Sequence, residues 1–79
     1  MDSLQQVIFA LKELEQDIST PKNVKMKIAS TIRLLNENAE ISIKVSKALH
    51  ELEDIAEDTN VQSYTRTQIF NIVSLLEVV

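Results

Sequence analysis

Apolar residues recur along this chain at alternating steps of three and four, the spacing that lines one face of an α-helix. Leu4, Val7, Leu11, Leu14 and Ile18 form the first stripe, widened by Ile8, and predict a helix from about Ser3 to Asp17. Ser3 and Gln6 stand at the spacing of a capping box, in which each side chain takes up a free backbone N–H. Ser19-Thr20-Pro21 interrupts the pattern. Proline fits the first position of a helix, where its missing N–H has no partner to lose, so Thr20 is the expected cap of a second helix from about Pro21 to Leu35. That helix carries the stripe Val24, Ile28, Thr31, Ile32 and Leu35.

Asn36-Glu37-Asn38 is the next break. Asparagine tolerates the left-handed backbone that ends helices, and Asn38 is placed to cap a third helix from about Ala39 to Glu57. Its stripe is Ile41, Val45, Ala48, Leu49, Leu52, Ile55 and Ala56. A fourth helix, from Val61 or Gln62 to Glu77, carries Thr65, Ile69, Ile72, Val73 and Leu76.

The chain repeats itself. Ala10-Leu11-Lys12-Glu13-Leu14-Glu15-Gln16 and Ala48-Leu49-His50-Glu51-Leu52-Glu53-Asp54 agree at five of seven positions, at an offset of 38 residues. Ile28, Ile32 and Leu35 match Ile69, Val73 and Leu76 at an offset of 41, which implies a longer loop in the second copy. The organisation expected is one domain over residues 1–79, made of a hairpin at about 3–35 and another at about 39–77. Short connections make successive helices antiparallel neighbours, so the fold class is all-α, a four-helix up-and-down bundle of two tandem hairpins. Two repeats are fewer than the roughly three that an open helical stack needs, which favours closure.

Composition agrees with this architecture. Gly is absent and Pro occurs once, which leaves little material for tight turns and sheets. Without Cys there are no disulfides, and one His makes a zinc site improbable on ligand number alone. The lack of Cys and of a leader pattern points to the cytoplasm. No apolar run is long enough to span a membrane. A chain this small gains stability chiefly from regular helix packing or from self-association.

Two groups of residues stand apart from the core stripes. Phe9, Met26, Leu34 and Ile43 lie off them, as do Leu75 and Val78-Val79, and Phe70 sits at the margin of its own. Clustered, such residues make a docking patch, so Phe9, Met26, Leu34, Ile43 and Phe70 are the candidate interface, with aromatic Phe9 as anchor. The second group is basic. The net charge of −4 is uneven, and Lys22, Lys25, Lys27, Arg33, Lys44 and Lys47 make residues 22–47 positive. On adjacent faces of the second and third helices they form a candidate anion patch for RNA or DNA phosphates. The acidic total and the scarcity of aromatics for base stacking weigh against that use.

Catalytic chemistry finds little footing. His50 with Glu53, Asp54 and Glu57 reads as a solvated acidic face rather than a metal site. Phosphate-cradling loops need glycine. The sequence therefore points to a non-enzymatic structural or protein-interaction module that self-associates, with nucleic-acid binding as the alternative. No cofactor, metal or small-molecule substrate is indicated.

Three strings carry a family resemblance. They are Leu14-Glu15 with Pro21-x-Asn23-Val24, Leu52-Glu53 with Glu57-Asp58-x-Asn60, and Arg66-Thr67-x-Ile69-x-Asn71-x-Val73-Ser74-x-Leu76-Glu77. Over nearly its whole length the chain resembles a small archaeal family known only as an uncharacterised protein family. The resemblance implies a compact four-helix bundle in the archaeal cytosol and no assigned activity. It supplies no catalytic or binding residues. The chain departs from the family pattern at Thr59 and Gln62, where prolines are expected, and at Phe70, where Trp is common.

Overall fold

The computed structural model describes residues 2–79. Four helices follow one another: α1 (Ser3–Gln16), α2 (Lys22–Asn36), α3 (Ile41–Ala56) and α4 (Ser63–Glu77). No strand occurs among the described residues. Each helix packs on its neighbour in sequence, α1 also packs on α4, and the diagonal pairs stay apart. The result is a closed four-helix up-and-down bundle with extents of 32 × 20 × 18 Å.

The predicted stripes make the core. Val7, Leu11, Val24, Ile28, Ala48, Leu52, Ile55, Ile69 and Leu76 are sealed from solvent. At ~2 kcal/mol or more for each large buried aliphatic, this interior is the dominant favourable contribution to folding. The repeat holds at the helix starts. Ile41 begins α3 thirty-eight residues after Ser3, and Ser63 begins α4 forty-one residues after Lys22. The three added residues do not all enter the loop, as the sequence suggested. α3 has 16 residues against 14 for α1, so two of them lengthen the helix.

Helix ends depart further from expectation. Asp2, not Ser3, caps α1, its Oδ1 accepting from the Gln5 N–H at 2.8 Å. Thr20 does not cap α2, which begins with no side-chain cap. Its buried hydroxyl instead donates to the Leu14 carbonyl at 3.0 Å, closing the end of α1. Asn38 does not cap α3 either, since Glu40 holds that position without a capping bond. No asparagine adopts the left-handed conformation, because no described residue has positive φ.

With no described residue in the left-handed region, these helices close without the usual left-handed cap, yet the final carbonyls still need donors. Side chains from the following segment supply them. Thr20 serves α1. Lys44 Nζ reaches back to the Leu35 and Glu37 carbonyls at 3.1 and 3.0 Å and serves α2. Arg66 serves α3 and its loop, with Nε on the Ala56 carbonyl at 2.9 Å and Nη2 on those of Asp58 and Val61 at 3.3 and 3.2 Å.

Two residues assigned to core stripes are outside it. Ile18 lies past the end of α1 and is 95% exposed, and Ile41 sits in the first turn of α3 and is 47% exposed. A periodic pattern cannot show where a helix stops, and both residues lie at ends where the neighbouring helix no longer covers them. Val61, expected as the start of α4, is buried in the connection instead.

Candidate interaction surfaces

Two grooves run between helices from different hairpins. The first lies between α1 and α4. Phe9, Ala10 and Leu14 enter it from α1, and Tyr64, Gln68 and Ile72 from α4. Leu14 and Ile72 are buried and form its floor, while Phe9 and Tyr64 are 56% and 61% exposed. Glu13 and Asp17 complete the rim, so this groove is aromatic with an acidic edge.

Asp17 has a defined electrostatic setting. The Ser19 hydroxyl donates to its Oδ1 at 2.7 Å and the Ser19 N–H at 2.9 Å. These bonds favour the carboxylate and hold its pKa below the ordinary value, with a smaller contribution from the charge of Lys25.

The second groove lies between α2 and α3 and measures about 580 Å³. Arg33 and Lys47 line it together with His50, Glu37 and Glu51. Half-buried Leu34 packs against the core beneath them.

The candidate interface residues do not meet in one place. Phe9 belongs to the α1/α4 groove and Leu34 to the α2/α3 groove. Met26, Ile43 and Phe70 are 66%, 47% and 52% exposed on α2, α3 and α4 and line neither groove. Leu34, placed by its spacing away from the core, is the one member that packs on it. Tyr64 is an aromatic of the same groove that the sequence did not group with Phe9. Its signal was available, because it falls off the α4 stripe one turn before Gln68.

The six basic residues also separate. Arg33 and Lys47 come together in the α2/α3 groove. Lys44 is tied to the end of α2. Lys25 neighbours Asp17, and Lys22 and Lys27 are exposed in the first turns of α2, outside the groove. Arg66 was not singled out for any role, although a helix end without glycine calls for such a donor. No helix among the described residues is long and apolar enough to cross a membrane.

Comparison with known proteins agrees with this architecture. The protein MMP1188, of unknown function, has a crystal structure that superposes with a TM-score of 0.91 at 35% identity, covering 99% of this chain and 90% of that one. A crystal structure of a Thermoplasma acidophilum protein from the uncharacterised family UPF0147 gives a TM-score of 0.92 at 32% identity, covering 96% and 91%. In sequence, the UPF0147 protein Ta0600 of Thermoplasma acidophilum is 39% identical over 74 residues, 91% of this chain and 83% of its own length. A UPF0147 protein of Sulfurisphaera tokodaii is 32% identical over 77 residues, covering 96% and 86%. The family profile spans residues 1–79, the resemblance read from the three sequence strings is thereby established, and the chain belongs to the archaeal uncharacterised protein family UPF0147.

Proposed function

We propose that this protein is a non-enzymatic, cytoplasmic helical interaction module that self-associates through the α1/α4 face. The observation that carries this reading is the pair Phe9 and Tyr64. Both aromatics are more than half exposed beside a groove floored by Leu14 and Ile72. Aromatic side chains over an apolar floor are the usual anchors of protein interfaces. A chain of 79 residues gains stability from any contact made only by its folded form. Nucleic-acid binding through the basic residues is the weaker alternative, because Lys44 is engaged with helix carbonyls and Lys22, Lys25 and Lys27 lie apart from Arg33 and Lys47.

Sedimentation velocity on wild type, Phe9→Glu and Tyr64→Glu tests the proposal. Wild type is expected to sediment as a dimer or larger species and both variants as monomers. Phe9 and Tyr64 are surface residues, so the variants retain the fold, which helical circular dichroism checks. A monomeric wild type at ~100 μM, a concentration that populates even weak pairs, would remove the basis for self-association.

A further inference from the structure

We infer that the groove between α2 and α3 is a binding site for a small phosphate ester that also carries a cationic or hydroxyl group. The donors come first. Arg33 from α2 and Lys47 and His50 from α3 line one cavity, joined by the hydroxyls of Ser30 and Ser46. A guanidinium grips two phosphate oxygens at once, an ammonium adds a point charge, and hydroxyls take up remaining oxygens. A group with several acceptor oxygens matches that set better than a single carboxylate does.

The acids narrow the ligand further. Glu37 and Glu51 share the same lining, so the two carboxylates balance Arg33 and Lys47. A bare anion meets attraction and repulsion together. A molecule with an ammonium or hydroxyl group a few bonds from its phosphate satisfies both, and half-buried Leu34 offers an apolar floor for the carbons between. The groove is open to solvent and, at about 580 Å³, has room for a small molecule.

The fold alone does not dictate this lining. The α1/α4 pair is the repeat counterpart of the α2/α3 pair, and there Phe9 stands at the position of Lys47. A polymer is a poorer occupant than a small ligand. Nucleic acid needs cations that continue beyond one cavity, whereas Lys44 bonds to the end of α2 and Lys27 is outside the groove.

The test is a ¹H–¹⁵N titration of the full chain at low salt with phosphoethanolamine, and separately with inorganic phosphate and a short single-stranded RNA. Phosphoethanolamine is expected to give saturable shifts confined to the amides around Ser30, Arg33, Leu34, Lys47 and His50. Inorganic phosphate is expected at the same place but more weakly. Arg33→Gln and Lys47→Gln should each weaken phosphoethanolamine about tenfold, the loss of one charge-assisted contact. Arg33→Lys, which keeps the charge and loses the fork, should fall between, and Lys27→Gln should change nothing. Both groove residues are exposed, and the spectra themselves report whether a variant is folded. Absence of saturation by about 10 mM, or shifts spread equally over Lys22, Lys25 and Lys27, overturns the inference. So does RNA that binds more tightly than phosphoethanolamine and perturbs α2 as a whole.

Discussion

The two inter-hairpin grooves lie between helix pairs that correspond by repeat, yet they open at different heights along those pairs and differ in chemistry. Counting along the offsets of 38 and 41 residues, Phe9 corresponds to Lys47, Tyr64 to Asn23, Gln68 to Lys27 and Ile72 to Thr31. Of the residues lining the α1/α4 groove, Ala10, Glu13 and Leu14 match Ala48, Glu51 and Leu52, and the rest differ. Beneath them the match is close: Leu14 pairs with Leu52, Ile28 with Ile69 and Leu35 with Leu76, all buried. Duplicated buried positions build the bundle, and unduplicated surface positions distinguish its two sides. The contrast teaches where function is to be sought in a chain whose core is a repeat, namely at the positions where the copies disagree.

The largest expected effect tests whether the halves share the work of folding. Leu14→Ala and Leu52→Ala each remove a buried aliphatic from equivalent places and should each cost about 3 kcal/mol. For a chain of this size that lowers Tm by roughly 10–20 °C. Thermal unfolding followed by circular dichroism should give similar losses for the two. A severe loss for one and a slight loss for the other would break the equivalence of the hairpins.

The next effect runs the other way, because the repeat places unlike partners at Lys25 and Arg66. Arg66 holds three carbonyls at the end of α3 and its loop. Arg66→Ala should cost about 1–2 kcal/mol, a partly exposed set of charge-assisted bonds. Lys25 only neighbours the exposed Asp17, a contact that solvent screens, so Lys25→Ala should cost much less than Arg66→Ala. Chemical denaturation of the two variants measures the gap, and equal losses would deny Arg66 its role.

These comparisons also locate what the sequence could reveal. The stripes of all four helices, the closed bundle and the family strings were legible because burial follows helical periodicity. Ile18 and Ile41 were misplaced because periodicity runs past the ends of helices, where cover stops. Thr20 and Asn38 were misread as starting caps because polar residues in a loop serve either flank, and only the path of the chain decides which. Lys44 was counted as a free cation because its bond to Leu35, nine residues back, depends on how α3 turns against the end of α2. The site was less legible than the fold. Phe9 was singled out, but the groove it shares with Tyr64 lies between the first helix and the last.

The smallest expected effect concerns the two Asp turns. Asp17 accepts from Ser19, and Asp58, forty-one residues on, accepts from the Asn60 N–H at 2.9 Å. Because Asp17 has a folded pKa below its ordinary value, folding favours its ionised form. That contribution is present above the unfolded pKa and is lost as pH falls through the lower folded value. The Tm difference between wild type and Asp17→Asn should therefore stay level from neutral pH to the upper edge of the carboxylate range and close below it. Solvent screening keeps the difference small, and a gap that widened on acidification would contradict the sign.

The most direct measurement of the contrast between the grooves is a concentration series of ¹H–¹⁵N spectra without added ligand. Self-association through the aromatic face predicts that amides around Phe9, Ala10, Tyr64 and Gln68 shift or broaden as protein concentration rises, while those around Arg33, Lys47 and His50 stay fixed. Concentration-dependent shifts centred on α2 and α3, or none anywhere, would contradict it.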